Sequence, residues 1–174
     1  MRFSTIFTVL AAGAMAIAGA VPEIVAKRST NDIQSAFTTL SNHCDTILPK
    51  FTSCSDNDCT ATVVAELVVA IDACTAVVKG CDGGVPSTAL VEVVVEVVVK
   101  IVAALSAHVD VCIGCDGLID IYASVNVALA ACLAVVVELC AGLAALLSIA
   151  VGLLAVVSAL ISLDFTAVLS VCLL

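Results

Sequence analysis

The sequence has no tryptophan, one tyrosine and five phenylalanines, so aromatic side chains make up 3% of its 174 residues. A pocket that stacks a flat cofactor or a nucleobase draws on aromatic faces, and this chain has little to build one from. Positive charge is scarce too, with six Lys and Arg against fifteen Asp and Glu for a net charge of −9. Such a surface repels phosphates, which argues against nucleic acid as a partner. Charged residues of both signs reach only 12%, about half the usual share of a soluble domain. What fills the chain instead is Ala, Val, Leu and Ile. At 63% apolar it is far from the low hydrophobicity that intrinsic disorder requires.

The first residues read as processing signals. Residues 1–20 combine one early positive charge (Arg2), an uncharged core from Ile6 to Ile17 and the small-residue exit Ala18-Gly19-Ala20, which is the pattern of a secretory signal peptide cut after Ala20. The apolar core is too short for a stable membrane span. Residues 21–28 form a short Pro-containing pro-segment closed by the dibasic pair Lys27-Arg28, as in kexin-type cleavage sites. Both cuts leave one domain, 29–174, with fourteen acids, three lysines (Lys50, Lys79, Lys100) and no arginine. Its more polar half is 29–116 and its hydrophobic half 117–174. No Asn-x-Ser/Thr glycosylation acceptor is present.

All ten cysteines lie in that domain: Cys44, Cys54, Cys59, Cys74, Cys81, Cys112, Cys115, Cys132, Cys140 and Cys172. An even set in an exported chain reads as a disulfide framework, with buried free thiols as the next reading. Cys112-x-x-Cys115 has no second C-x-x-C and both histidines stand alone in the sequence, so no metal or other cofactor is expected. A thioredoxin-like redox motif would need a βαβ context that the pattern lacks.

Hydrophobic spacing predicts an all-α bundle of about five helices. The first opens near Thr30 or Asn31 and carries Ile33, Phe37, Leu40, Cys44 and Ile47 on one stripe, with Pro49 as its stop. A polar loop over Lys50–Thr60 follows. The second helix runs from about Thr60 to Lys79, burying Val64, Leu67, Ile71, Cys74 and Val78 and placing Asp72, Thr75 and Lys79 on the opposite side. Gly80 ends it. The third starts from a Ser87/Thr88 cap, with Glu92, Glu96 and Lys100 in a row and His108 continuing that row towards solvent. Its valines favour strand, but Ser87 to Val111 without a turn signal is too long for one.

After Leu118 the chain carries three charges, Asp120, Glu138 and Asp164, and Leu139 to Leu163 carries none. Within that stretch Ala141, Ala145, Ser148, Gly152, Ala155, Ala159 and Ser162 alternate at four and three, a small-residue seam along which another backbone can pack closely. The stretch supports two readings. One is a transmembrane helix at about 139–163, long enough for a bilayer core of about 30 Å but without flanking Lys, Arg, Trp or Tyr to anchor it. The other, favoured for a stapled secreted chain, is the central hydrophobic C-terminal helix of the bundle.

Chemistry is missing. His43 and Cys44 are neighbours and therefore face apart on a helix, Asp120 and Glu138 reach solvent or a helix end, and there is neither a Gly-rich phosphate loop nor a G-x-S-x-G. The chain is not expected to be an enzyme.

A signal, a dibasic end to a pro-segment, a polar first half, a near-chargeless Ala/Val/Leu second half and the run Phe37-Thr38-Thr39-Leu40 to Ile47-Leu48-Pro49 together resemble the small secreted structural proteins of mushroom-forming fungi, which support aerial hyphae and attachment and are not hydrophobins. The resemblance implies a structural role in the cell wall or extracellular matrix. Hydrophobins themselves carry Cys-Cys doublets, and no cysteine here has a cysteine neighbour. The expected partners are hydrophobic surfaces, wall components or further copies of the chain. The alternative is an extracellular lipid- or sterol-binding helical module of the elicitin kind, and the second alternative is the membrane protein already described.

An up-down arrangement broken near Gly142 sorts the cysteines by end. Cys44, Cys54, Cys59, Cys112, Cys115 and Cys172 fall towards one end, and Cys74, Cys81, Cys132 and Cys140 towards the other. Bridges Cys74–Cys132 and Cys81–Cys140 then come within the roughly 7 Å between Cα atoms that a disulfide tolerates. Disulfide mapping by mass spectrometry is expected to find no bond across the two groups; a Cys54–Cys81 bond would rule the sorting out.

Overall fold

The computed structural model describes residues 29–112, 117–140, 142–143 and 163–172. The signal peptide, the pro-segment with Ala20, Lys27 and Arg28, Cys115, and the seam Ala141, Ala145, Ser148, Gly152, Ala155, Ala159 and Ser162 lie outside the described residues, as does most of the 139–163 helix.

Helix α1 (Thr30–Ile47) opens at Thr30, within the expected start. Ser29 is the cap because Asp32, three residues on, accepts its backbone N–H at 2.7 Å, the acidic arm of a capping box. All five stripe residues, Ile33 to Ile47, are buried. Where a polar loop was expected, the chain tightens into a short 3-10 helix, Leu48–Ser53, because Phe51 is apolar and inserts fully into the core. Helix α2 (Asn57–Lys79) starts from Asp56, whose carboxylate accepts the Cys59 N–H at 2.7 Å, and stops at Gly80. Helix α3 (Thr88–Val111) starts from Ser87, whose Oγ accepts the Leu90 N–H at 3.1 Å. The valine-rich segment is thus helical, as length argued.

Helix α4 (Leu118–Leu139) ends where Cys140 turns extended and Gly142 adopts φ +86°, a left-handed conformation that glycine tolerates best. The start of the 139–163 stretch is therefore a turn and not a continuation of α4. The last element, α5 (Thr166–Cys172), packs on α4. There is no strand among the described residues, and the architecture is an all-α bundle carrying a Cys54–Cys59 disulfide.

In cross-section α1 sits between α3 and α2, while α4 covers the other flank of α2; the 3-10 helix closes one end against α1, α2 and α3. Neighbours fix the directions. Ser41 of α1 donates to Glu96 of α3 at 3.4 Å, Lys100 reaches Asp45 at 2.9 Å and His108 lies 3.3 Å from the Cys54 carbonyl oxygen, so rising numbers along α1 and α3 match and the two helices run the same way. Likewise Cys74 meets Cys132, and Gly84, just past α2, donates its N–H to the Leu139 carbonyl at 3.0 Å. Helices α2 and α4 therefore also run the same way, as an up-down bundle requires. Because α2 has helices on both flanks, its buried arc is wider than one stripe. Thr75, expected on the solvent side, is buried and returns its hydroxyl to the Ile71 carbonyl at 2.8 Å.

The loop after α2 presses on the end of α4. A Cβ at Gly83 would lie 2.0 Å from the Leu139 carbonyl oxygen, whereas one at Gly84 would meet only the Thr30 side chain at 3.1 Å. Gly83→Ala is expected to cost about 1–3 kcal/mol, the usual scale of forced overpacking, and Gly84→Ala less. Urea unfolding of the two variants checks the order.

Candidate functional site

Two constellations of chemically capable side chains occur among the described residues, the surroundings of His108 and the cysteines. The first centres on His108. Sequence reasoning put it on the wet face of α3, and the structure buries it at 4% exposure. The reason is helical drift. A row spaced by fours rotates about 40° per step at 3.6 residues per turn, so four steps beyond Glu92 arrive on the opposite face. Its ring Nδ1 lies 2.6 Å from the Tyr122 hydroxyl on α4 and its Nε2 lies 3.3 Å from the Cys54 carbonyl oxygen. Phe51 packs against both rings, with centroids 5.4 Å from His108 and 6.3 Å from Tyr122.

Both ring nitrogens are thus occupied by protein groups. The bond from His108 to the Cys54 carbonyl ties α3 to the loop held by the Cys54–Cys59 disulfide. This node positions helices and offers no free nitrogen for acid–base work. Burial pushes the Tyr122 phenol up to about 12.

The second constellation is the cysteine set. Cys54–Cys59 is bonded and Cys112 is also in a disulfide. Cys44, Cys74, Cys132 and Cys140 are buried thiols. Cys81 is buried as well, its sulfur 3.3 Å from the Val77 carbonyl. The expected Cys74–Cys132 bridge is not formed: both are thiols, near enough for each to perturb the other's proton, and Thr75 lies against Cys132. Their interaction raises Cys74 and lowers Cys132. Burial pushes Cys44 up to about 11, opposed by the nearby Lys100, and raises Cys140 against a bond from the Gly84 backbone. The side chain of Cys172 lies outside the described residues.

Neither acid flagged on α4 enters a pocket: Asp120 and Glu138 are exposed. His43 is exposed and Cys44 buried, so the two neighbours do face apart. No group of three or more His, Cys, Asp or Glu fit to hold a metal occurs among the described residues. Sequence reasoning missed Asn126, which is buried in α4 and reaches α5, accepting the Val168 N–H at 3.2 Å and donating to the Asp164 carbonyl at 3.3 Å. A lone Asn inside an otherwise apolar helical stripe was the available signal.

Two open grooves flank α2. One, of about 380 Å³, lies between α1 and α2, with Cys74, Leu40 and Val77 among its walls and His43 and Asp32 at its polar side. The other, of about 500 Å³, lies between α2 and α4 and is lined mainly by Val68, Ala123, Val127, Ala128 and Ala131.

Tyr122→Phe leaves His108 Nδ1 buried without its partner and is expected to cost about 1–3 kcal/mol, read by denaturant unfolding. The phenol's ordinary value is 10.0 and its folded value about 12, so folding keeps a proton that the unfolded chain releases. Its stabilising contribution is complete below pH 10 and is lost as pH rises through about 12. Because Tyr122 is the only tyrosine and there is no tryptophan, near-ultraviolet tyrosinate absorbance reads this group alone. Ionisation near pH 10 in a still-folded protein would contradict the burial.

No protein-family model matches the chain, and no curated protein or solved structure matches it.

Proposed function

We propose that this chain is a secreted, non-enzymatic structural protein, surface-active and belonging to a fungal cell wall or extracellular matrix, that mediates adhesion or assembly at hydrophobic interfaces. The supporting observation is the contrast between the two helices that flank α2. The exposed positions of α1 are Asn31, Asp32, Ser35, Thr38, Thr39, Asn42, His43, Asp45 and Thr46, all polar. Between Asp120 and Glu138, the exposed positions of α4 are Ala123, Ser124, Val127 and Ala131.

Val127 is 64% exposed, and Val69 on α2 and Ile119 on α4 are 51% and 46% exposed. Single exposed apolar residues are ordinary, but a run of them without charge along one helix marks a contact surface. A molecule wet on one flank and greasy on the other orients itself where water meets an apolar phase, since each buried Å² of apolar surface contributes roughly 25 cal/mol.

Helices α2 and α4 are long and apolar enough to cross a membrane, although each buries 39% and 44% of its most apolar window inside the bundle. Both grooves open to solvent, which suits surface contact better than an enclosed carrier of lipid.

Tensiometry on the oxidised full chain is the test. The protein is expected to lower the surface tension of plain buffer, and Val127→Asp combined with Ala123→Asp to weaken that effect while circular dichroism stays helical. Native protein that leaves surface tension unchanged would overturn the proposal. So would stoichiometric lipid in an organic extract, or retention in carbonate-washed membranes.

A further inference from the structure

The groove of about 500 Å³ between α2 and α4 has an apolar floor, lined mainly by Val68, Ala123, Val127 and Ala131, with Asp72 on its α2 lip. On the α4 side Asp120, Ala123, Val127, Ala131 and Glu138 are all exposed. At about 100° per residue these five positions share an arc of about 80°, and at about 1.5 Å per residue the two acids stand about 27 Å apart along the helix. The face is a greasy strip closed by a carboxylate at each end, and the exposed Asp72 adds a third across the groove.

Three features select what fits there. Both walls are helices, whose backbone N–H and C=O groups are spent internally, so an extended peptide finds no sheet edge to join. The alanines keep the α4 surface low, which lets the backbone of a further helix come close. Charge then sets the sign of the occupant. Lys50 is paired with Glu66, and Lys100 with Asp45 and Glu96, which leaves Lys79 as the one lysine of the domain outside those ion pairs. A second copy of the chain would bring the same three acids and a single lysine to meet them, so like charges oppose it.

We propose that this groove docks an amphipathic helix of a partner protein, one that carries lysine or arginine at both ends of its apolar stripe, about five turns apart. The inference rests on the α4 face assigned above to contact with apolar phases, and it deepens that role by giving the face a protein partner. The partner's apolar side chains lie on Val68, Ala123, Val127 and Ala131, and its basic ends reach Asp120 and Glu138, with Asp72 alongside. Docking takes Val127, 64% exposed in the free chain, out of water, and such burial supplies the attraction. Exposed charge pairs add little affinity of their own. Their work is to choose among partners by sign, since an acidic helix of the same shape is repelled.

The test uses two synthetic helical peptides of about 20 residues, each with a Leu/Ala stripe and a Gln/Ser polar face, that differ only in the residues flanking the stripe: lysine in one, glutamate in the other. Each is titrated into the oxidised full chain and followed by calorimetry. The lysine peptide is expected to bind one to one, more weakly as salt rises, and the glutamate peptide not to bind. Asp120→Asn combined with Glu138→Gln should weaken the lysine peptide about tenfold. Glu92→Gln with Asp110→Asn removes the same charge from exposed positions of α3 and should change its affinity by less than about twofold. Failure of the lysine peptide to bind, equal binding of the two peptides, or equal loss from the two pairs of substitutions would overturn the proposal. So would a dimer of the chain, seen by sedimentation, that the lysine peptide does not displace. The two peptides on the unmutated chain decide the sign of the partner whether or not any variant folds. Surface tension reads the underlying role separately. A chain that lowers it yet binds neither peptide defeats the docking site alone, and one that binds the lysine peptide yet leaves surface tension unchanged defeats the surface-active role alone.

Discussion

The bundle depends on α2, a helix that must bury two sides at once. With apolar residues around most of its circumference, it gains stability only when α1 covers one flank and α4 the other. Everything else follows from that double cover. Helix α3 needs only to close over α1, the 3-10 helix plugs the end where three helices meet, and α5 is added outside α4. A core made almost entirely of Val, Leu, Ile and Ala has few large side chains to set its geometry, so Phe37, Phe51, Tyr122 and Phe165, all fully buried, act as spacers among many small contacts.

Much of this was legible in the primary structure because it rests on periodicity. The α1 stripe, the buried line of α2, the glycine stop at Gly80 and the serine cap of α3 follow from local rules of spacing and capping. The relative direction of the helices was legible too, since short connections force alternation. That alternation is why the meeting of Cys74 and Cys132 could be expected from residue numbers alone. Whether two meeting sulfurs are bonded does not follow from where they sit, and these two stand as thiols.

The misreadings share one physical cause. His108, Thr75 and Phe51 are residues whose surroundings are set by distant partners and not by their own helix. His108 was assigned by extending a row of fours beyond the distance over which such a row keeps its face. Its true partners, Tyr122 and the Cys54 carbonyl, come from α4 and from a loop 54 residues away. Thr75 reads as polar and outward until α4 is placed over it. Phe51 sits among polar neighbours, and only the three-helix junction above it explains the 3-10 turn. Asn126 belongs with them, since its amide serves a segment 38 and 42 residues further along.

The placement of the cross-links gives the bundle a mechanical polarity. At the end formed by the C-termini of α1 and α3, Cys54–Cys59 is covalent, Cys112 is covalently tied and the imidazole of His108 bridges the two segments. Towards the opposite end, Cys74, Cys132 and Cys140 are thiols, and the Gly84–Leu139 hydrogen bond joins the loop after α2 to the end of α4. Tension applied to such a body, or spreading forces at a boundary between phases, meets its covalent links among the described residues at the first end, which serves it as a spine serves a book.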